Sequence, residues 1–171
     1  MGGGLCEFLP DSGEFISYLH DETNPNSISD NYVYSILEKE PGKLWIGAES
    51  GGIDLFDYEK HEFTYYEYES RYEPSRQIFG CKLFRDSRGM IWIGTGGHGA
   101  YVFSPVTKSF EHFVYASDGS GLRSQIITSF FEDSQGKIWV GTDGGGINIY
   151  HPSSGNFTYL MHDAEDLYSL S

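Results

Sequence analysis

Histidine side chains are the groups in this chain best suited to proton transfer near neutral pH, and the chain has six of them. Acid–base catalysis would need a histidine and a carboxylate that converge on one point. Only His98, between Gly97 and Gly99, lies in a loop that we expect at the ligand-binding face. The other histidines are expected in outer strands or adjoining loops: His20, His61, His112, His151 and His162. We therefore predict no catalytic residue, no metal site and no cofactor.

A second group of side chains is long enough to form hydrogen bonds to a ligand and carries planar groups that suit a sugar or a carboxylate. All of them are expected in the loops of one face. They are Tyr32, Arg76, Gln77, His98, Arg123 and Gln125. Each residue taken singly also fits a solvated loop, but as a set they predict a ligand-binding mouth.

The elements that position these residues follow from a repeated hexapeptide. The segments 43–48, 90–95 and 137–142 share one pattern and contain all three tryptophans, Trp45, Trp92 and Trp139, spaced 47 residues apart. A turn glycine stands three residues before each tryptophan. A fixed period of this length indicates a tandem repeat, in which copies of one unit stack on each other.

The start of the chain repeats its end at an offset of 142 residues. Segment 2–10 reads like 144–152, and Phe15 and His20 match Phe157 and His162. The chain is therefore predicted to hold one half unit (1–30, strands C and D), three whole units (31–70, 71–117 and 118–163) and the start of a further loop (164–171).

Each whole unit contains four short strand signals, A to D, and no convincing helical periodicity. The segment between A and B reads Asp-Ser-x-Gly at 86–89 and 133–136. This sequence predicts a tight turn, because aspartate accepts hydrogen bonds from the turn amides and glycine adopts positive φ. The first unit has Lys39 at the position of this aspartate. In the second unit one surplus residue falls at Gly80, which predicts a β-bulge near Gly80 and Cys81, unless the loop before Gln77 absorbs it.

Four-stranded units of this length favour an all-β fold, a β-propeller fragment of about three and a half blades that forms an open arc. The tryptophan strand is apolar on both faces, as expected of a sheet covered by neighbouring blades. Since strands alternate in direction, the D-to-A and B-to-C loops share one face. The residues predicted to bind ligand lie in these loops. The open blade faces predict contacts with neighbouring blades of a parent propeller, or self-association.

Composition narrows the range of partners. The 11 basic and 25 acidic residues give a net charge of −14, which disfavours nucleic acid and anionic membrane surfaces. No apolar run spans a membrane, and residues 1–20 lack the features of a signal peptide. Cys6 and Cys81 fall at different places in the repeat, which favours two free thiols over a disulfide.

Segment 127–147 resembles the two-component regulator propeller repeat, which builds periplasmic sensor domains of hybrid two-component systems in gut Bacteroidetes. The resemblance extends over the whole chain and implies a periplasmic, ligand-sensing segment that recognises an oligosaccharide or another small molecule, with any histidine kinase outside this chain. Streptogramin lyase has similar repeats, so a propeller enzyme is the alternative. A structural or protein-binding propeller is a third reading.

Overall fold

A computed structural model describes residues 2–68, 80–163, 165 and 169. Within these residues every regular element is a β-strand. The strands are β1 (Leu5–Leu9), β2 (Glu14–Tyr18), β3 (Val33–Glu40), β4 (Lys43–Ala48), β5 (Gly52–Asp57), β6 (Glu62–Glu67), β7 (Cys81–Arg85), β8 (Ile91–Thr95), β9 (Ala100–Ser104), β10 (Ser109–Phe113), β11 (Ile127–Glu132), β12 (Ile138–Thr142), β13 (Ile147–His151) and β14 (Asn156–Leu160). No helix in the described part of the chain is long and apolar enough to cross a membrane.

The strands form three four-stranded sheets and one two-stranded sheet, each in simple sequence order. The four-stranded sheets are β3–β6, β7–β10 and β11–β14, and β1 pairs with β2. This confirms the predicted all-β fold of propeller-like blades. The chain forms two compact units, residues 1–83 and 84–171. From here on, the first unit and the second unit are these two parts of the chain, and each four-stranded repeat is called a blade. The blade boundaries and the open arc remain predictions.

The two-stranded sheet has the same register as the outer half of the last sheet. Leu5 pairs with Tyr18 just as Ile147 pairs with Leu160, and the remaining pairs of β1–β2 follow those of β13–β14 at the same offset. The internal repeat in the sequence is therefore also a repeat in hydrogen-bonding geometry, and β1 and β2 correspond to strands C and D.

Two of the three tryptophan strands, β4 and β8, are buried as predicted, whereas β12 is only partly buried. All five residues of β8 are buried, and so are the last four residues of β4. Trp45 and Trp92 are almost fully buried, with exposed fractions of 2% and 1%. Burial of consecutive residues requires cover on both faces of the sheet, since neighbouring side chains in a strand point to opposite sides.

The aspartate of the A-to-B turn has a second partner besides the turn amides. One carboxylate oxygen of Asp86 accepts the N–H groups of Arg88 and Met90, and the other accepts the indole N–H of Trp92 at 3.1 Å. The predicted role of this aspartate in the turn is confirmed. The carboxylate therefore also joins the turn to the tryptophan six residues later.

The third blade repeats this arrangement. Asp133 accepts the N–H groups of Gln135 and Lys137, and its second oxygen accepts the indole N–H of Trp139 at 2.9 Å. The hydrogen bond from Trp139, with those from the two amides, lowers the pKa of Asp133 despite a smaller opposing effect of desolvation.

The first blade has no such carboxylate, and its turn is built differently. Lys39 stands at the sequence position of the aspartate in the other blades, and its ammonium lies 6.0 Å from the centre of the Trp45 ring. The pairing of β3 with β4 shifts between Glu38 and Glu40, which places an irregularity at Lys39.

Replacing Asp86 with alanine is expected to lower the free energy of unfolding by about 2–3 kcal/mol, because the buried indole N–H and two turn amides lose their acceptor. The loss is measured by urea unfolding. Asp86→Asn is the control, since it keeps the size and one acceptor and should lose less. Equal stability of wild type and Asp86→Ala would contradict this role.

Strand A carries a bulge that the sequence analysis did not predict. The pairing shifts between Val33 and Ser35 in β3, and between Ile127 and Ser129 in β11, which are equivalent positions. Part of the bulge predicted in the second blade lies outside the described residues. Gly80 itself has a positive φ of 77° and precedes β7.

Candidate functional site

The B-to-C and D-to-A loops meet at one end of the sheets, as their connectivity requires. In the first unit the N–H of Glu49 donates to the carbonyl of Tyr32 at 3.1 Å. In the second unit the N–H of Gly99 donates to the carbonyl of Gln125 at 2.8 Å. The backbone N–H of Asp143 likewise donates to the carbonyl of Ile126 at 3.0 Å. These backbone hydrogen bonds join B-to-C loops to D-to-A loops within each unit.

The first unit carries a groove of about 380 Å³ at this end. Its lining combines an aromatic ring, an aliphatic side chain and polar planar groups. The lining residues are Gly2, Leu19, His20, Asp30, Asn31 and Tyr32. Tyr32 is 48% exposed, so its ring is accessible to a ligand.

Hydrogen bonds fix the walls of this groove. The side-chain oxygen of Asn31 accepts the N–H of His20 at 2.8 Å, and its carbonyl accepts the N–H of Gly4 at 2.9 Å. Asp30 accepts the N–H of Tyr32 at 2.8 Å. The Nδ1 atom of His20 lies 2.8 Å from the carbonyl of Ile28, so Nδ1 donates, which leaves Nε2 as an acceptor when the imidazole is neutral. The groove is therefore largely pre-formed.

A buried carboxylate anchors the loop that precedes Tyr32. Asp54 on β5 has no exposed surface, and its two oxygens accept the N–H of Ser29 at 3.3 Å and the hydroxyl of Ser29 at 2.5 Å. Burial raises the pKa of Asp54 to about 6, and the hydrogen bonds from Ser29 partly oppose the increase. The hydroxyl of Ser29 also lies 2.6 Å from that of Ser50 in the B-to-C loop. Asp54 thus links strand C to both loops of the face.

The second unit has the same link with a neutral group. Asn148 is the equivalent of Asp54 and is also fully buried; its side-chain oxygen accepts the N–H of Arg123 at 2.8 Å. Arg123 is in turn the equivalent of Ser29. This anchor was not predicted from the sequence, although a polar residue recurs at the same place among apolar neighbours in strand C.

Arg123 is held against its own blade. Its guanidinium carbon lies 4.4 Å from the centre of the Tyr159 ring, and its Nε atom is buried without a hydrogen-bond partner. The hydroxyl of Tyr159 lies 2.8 Å from the carbonyl of Gly119 and 2.5 Å from that of Gly121, and it shares its one proton between them. Arg123 and Tyr159 therefore support the D-to-A loop from beneath.

His98 lies in the predicted B-to-C loop, but it is only 3% exposed. Its N–H donates to the hydroxyl of Thr95 at 2.8 Å, and its carbonyl lies 2.7 Å from Nε2 of His112. The His112 ring stacks on Tyr101, with 3.9 Å between ring centres. The imidazole of His98 is thus part of the packed interior of this loop and does not face solvent.

The predicted binding residues fall into three groups. Tyr32 lines the groove of the first unit, whereas His98, Arg123 and Gln125 lie in the second unit, where Gln125 is half-buried. Arg76 and Gln77 lie outside the described residues. Their assignment as ligand-binding residues remains a prediction.

Neither thiol is joined in a disulfide; Cys6 is exposed and Cys81 is buried. Burial raises the pKa of Cys81 to about 12, with only a small opposing effect of Lys82. In the part of the chain that the structure describes, no three histidine, cysteine or acidic side chains are grouped so that they could hold a metal ion.

The sequence matches a family model at two places. The model describes the two component regulator propeller, and it matches residues 27–50 and 121–144. Each match contains a D-to-A loop, strand A, the A-to-B turn and the tryptophan strand. The chain therefore contains two-component regulator propeller repeats. A search of curated protein sequences returned no match.

Several solved structures share this fold. The extracellular domain of BT4673, named as a hybrid two component system of B. thetaiotaomicron, is 22% identical with a TM-score of 0.75, covering 99% of this chain and 21% of that one. The extracellular domain of BT3049 from the same organism, also named as a hybrid two component system, is 24% identical with a TM-score of 0.72, covering 94% and 22%. Streptogramin B lyase is 22% identical with a TM-score of 0.57, covering 78% and 42%.

The chain spans about a fifth of the length of the first two of these structures. At such identities the likeness establishes the propeller fold.

Proposed function

We propose that this chain is a ligand-sensing propeller segment of a two-component sensor and that it binds an oligosaccharide at the loop face of its first unit. The observation that carries the proposal is the pre-formed groove of about 380 Å³ beside the exposed ring of Tyr32. It binds the ligand without changing it.

The chemistry of the groove suits a sugar. A tyrosine ring offers a flat apolar surface to the C–H face of a pyranose, and Asp30, Asn31 and the Nε2 atom of His20 offer hydrogen bonds to hydroxyl groups. Each such hydrogen bond contributes about 0.5–1.5 kcal/mol net. Affinity would therefore be distributed over several contacts, as expected of a wide, wet site.

The proposed cellular setting rests on the repeat and on the similar structures. The family model describes a two component regulator, and two similar structures are extracellular domains of proteins named as hybrid two component systems. These support a periplasmic or extracellular location, with the kinase that transmits the signal outside this chain. Neither nucleic acid nor a membrane surface is a partner in this proposal, in keeping with the net charge of −14.

Tyr32→Ala is expected to weaken oligosaccharide binding by about 3- to 10-fold, because it removes the stacking surface and leaves the polar wall intact. The probe is the best oligosaccharide from an array of plant and host polysaccharide fragments, titrated by calorimetry. Phe131→Ala is the matched control, because Phe131 is 64% exposed but lies near the A-to-B turn at the other end of its strand.

Binding that is equal in Tyr32→Ala and wild type would move the site away from this groove. No binding to any oligosaccharide on the array would reject the ligand class. Consumption of the oligosaccharide, slowed by His98→Ala, would favour the lyase alternative, although the burial of His98 disfavours it.

A further inference from the structure

A hydrogen-bonded network in the first unit connects one buried ionisable side chain to the loop that lines the groove. One carboxylate oxygen of Asp54 accepts the backbone N–H of Ser29, and the other accepts the hydroxyl of Ser29. That hydroxyl also lies 2.6 Å from the hydroxyl of Ser50 in the B-to-C loop. Ser29 is followed closely in the chain by Asn31 and Tyr32, which line the groove. We call Asp54, Ser29 and Ser50 the carboxylate latch.

The charge of the latch has no cation paired with it. Among the described residues of the first unit, no lysine or arginine lies within ion-pair distance of Asp54. Its partners across the sheet are Ile46 on β4 and Tyr65 on β6. Burial raises the pKa of Asp54 most; smaller effects are a decrease from the charge of His20 and an increase from that of Asp30. The surroundings of the latch therefore favour the protonated carboxyl.

The closed network fits either protonation state, because a serine hydroxyl can both donate and accept a hydrogen bond. When Asp54 is ionised, Ser29 donates to the carboxylate and Ser50 donates to Ser29. When Asp54 is protonated, its carboxyl donates to Ser29, and Ser29 donates to Ser50. The two states thus differ chiefly in the buried charge, which water would stabilise if the loop opened.

The second unit attaches the equivalent loop without a titratable group. The side-chain oxygen of Asn148 accepts the N–H of Arg123 at 2.8 Å, as Asp54 accepts that of Ser29. Asn148 is also fully buried. A neutral acceptor is therefore sufficient to hold this loop, and the carboxyl in the first unit adds a sensitivity to pH that the attachment does not require.

We propose that the carboxylate latch makes the groove of the first unit sensitive to pH: the loop from Ser29 to Tyr32 is held closed when Asp54 is protonated and opens more often when it is ionised. Ile28 is fully buried in the hydrophobic core of this unit, so the opening begins after it. As a regulation of ligand binding this inference rests on the proposed function, because an oligosaccharide would bind the closed groove.

The direction of the effect follows from the two environments of Asp54. In the open loop the carboxyl is hydrated and returns towards its ordinary pKa of 3.8, whereas in the closed loop the pKa is about 6. The closed loop is therefore favoured at low pH, and this advantage is lost as the pH rises through 6. Between pH 5 and pH 8 the ratio of open to closed loop should rise about tenfold.

Amide hydrogen exchange, followed by NMR on the full chain without an oligosaccharide, tests the latch. The reporters are Ser29 and Gly4, whose N–H donates to the carbonyl of Asn31 in the groove wall. After correction for intrinsic exchange rates, both amides should lose about tenfold in protection between pH 5 and pH 8. The amide of Arg123 is the control within the same molecule. Its protection should not change, because its acceptor Asn148 does not titrate.

The variant Asp54→Asn separates the carboxyl from His20, which this variant keeps. The separation is needed because histidine is the side chain that ordinarily titrates in this pH range. In Asp54→Asn, Ser29 and Gly4 should be protected equally at pH 5 and pH 8. Amides of β4, in the core of the same blade, separate the opening of the loop from unfolding of the unit, and they should stay more strongly protected than Ser29.

Each outcome decides the proposal. A loss of protection at Ser29 and Gly4 with rising pH, absent from Arg123 and from Asp54→Asn, supports it. Protection at Ser29 that is constant in the wild type overturns it, and so does a pH dependence that survives in Asp54→Asn. Exchange of Ser29 at the rate of the β4 amides also overturns it, since the whole unit would then open. Failure of every oligosaccharide to bind would reject the proposed function without changing these results.

Discussion

Replacing Trp92 with alanine is expected to lower the free energy of unfolding by about 3–5 kcal/mol, the range for a large aromatic side chain removed from a packed core. Trp92 is 1% exposed and belongs to a buried hydrophobic cluster of the second unit. Its ring stacks on Phe113 at 5.7 Å and contacts Tyr150 at 5.4 Å. The substitution would open a cavity between two blades and would also leave the buried carboxylate of Asp86 without the indole donor.

Trp139→Ala is the matched control for this prediction. Trp139 makes the same hydrogen bond to its turn aspartate but is only half-buried, so its loss should cost about 1–3 kcal/mol. The difference between the two variants isolates packing between blades from the shared hydrogen bond. Urea unfolding measures both values. Equal losses would show that contact between the blades contributes little to the role of Trp92.

Replacing Asp54 with asparagine is expected to stabilise the protein at pH 7, by as much as about 3 kcal/mol, and to have little effect near pH 4. Burial raises the pKa of Asp54 from 3.8 to about 6 in the folded state. The folded chain therefore holds this proton more tightly than the unfolded chain does. Stability from this group is fully present below pH 3.8, decreases as pH rises towards 6, and stays low above that value. A shift of one pKa unit corresponds to 1.36 kcal/mol.

The structure contains a precedent for this substitution, because Asn148 occupies the same position in the last blade and accepts the equivalent amide hydrogen bond. Urea unfolding of wild type and variant from pH 4 to pH 7 gives the difference directly. Asp21→Asn is the control, and it is expected to lower the free energy of unfolding at pH 7. Hydrogen bonds from Thr23 lower the pKa of Asp21, so its ionised form stabilises the fold above pH 3.8. A wild type and an Asp54→Asn variant with parallel pH profiles would show that Asp54 is not desolvated in solution.

The sequence predicted the fold well because the signals were local and repeated. The tryptophan strand, the Asp-x-x-Gly turn and the offset that relates β1 to β13 each depend on short-range pattern, and the structure has all three. The bulges in strand A were missed because nothing in the residues around Tyr34 and Thr128 marks them. They arise from how that strand meets its partner.

The site was harder to predict, because burial depends on tertiary packing. His98 is flanked by two glycines, which is typical of an exposed turn, yet its side chain is packed inside the loop. Asp54 belongs to a residue type that is mostly exposed, but the D-to-A loop folds over it and supplies the hydrogen bonds that let it be buried. Only a comparison of equivalent positions, Asp54 with Asn148, indicates this from sequence.

The proposed binding of an oligosaccharide to the first unit, without turnover, is tested most directly by NMR. The ¹⁵N-labelled chain is titrated with the best oligosaccharide from the array, and the amide shifts of the chain and the proton signals of the sugar are followed together. We expect shifts concentrated at the groove, in Leu19, His20, Asp30, Asn31 and Tyr32, with sugar signals that broaden but do not change over days. Shifts that avoid the groove, or new signals from a sugar product, would contradict it.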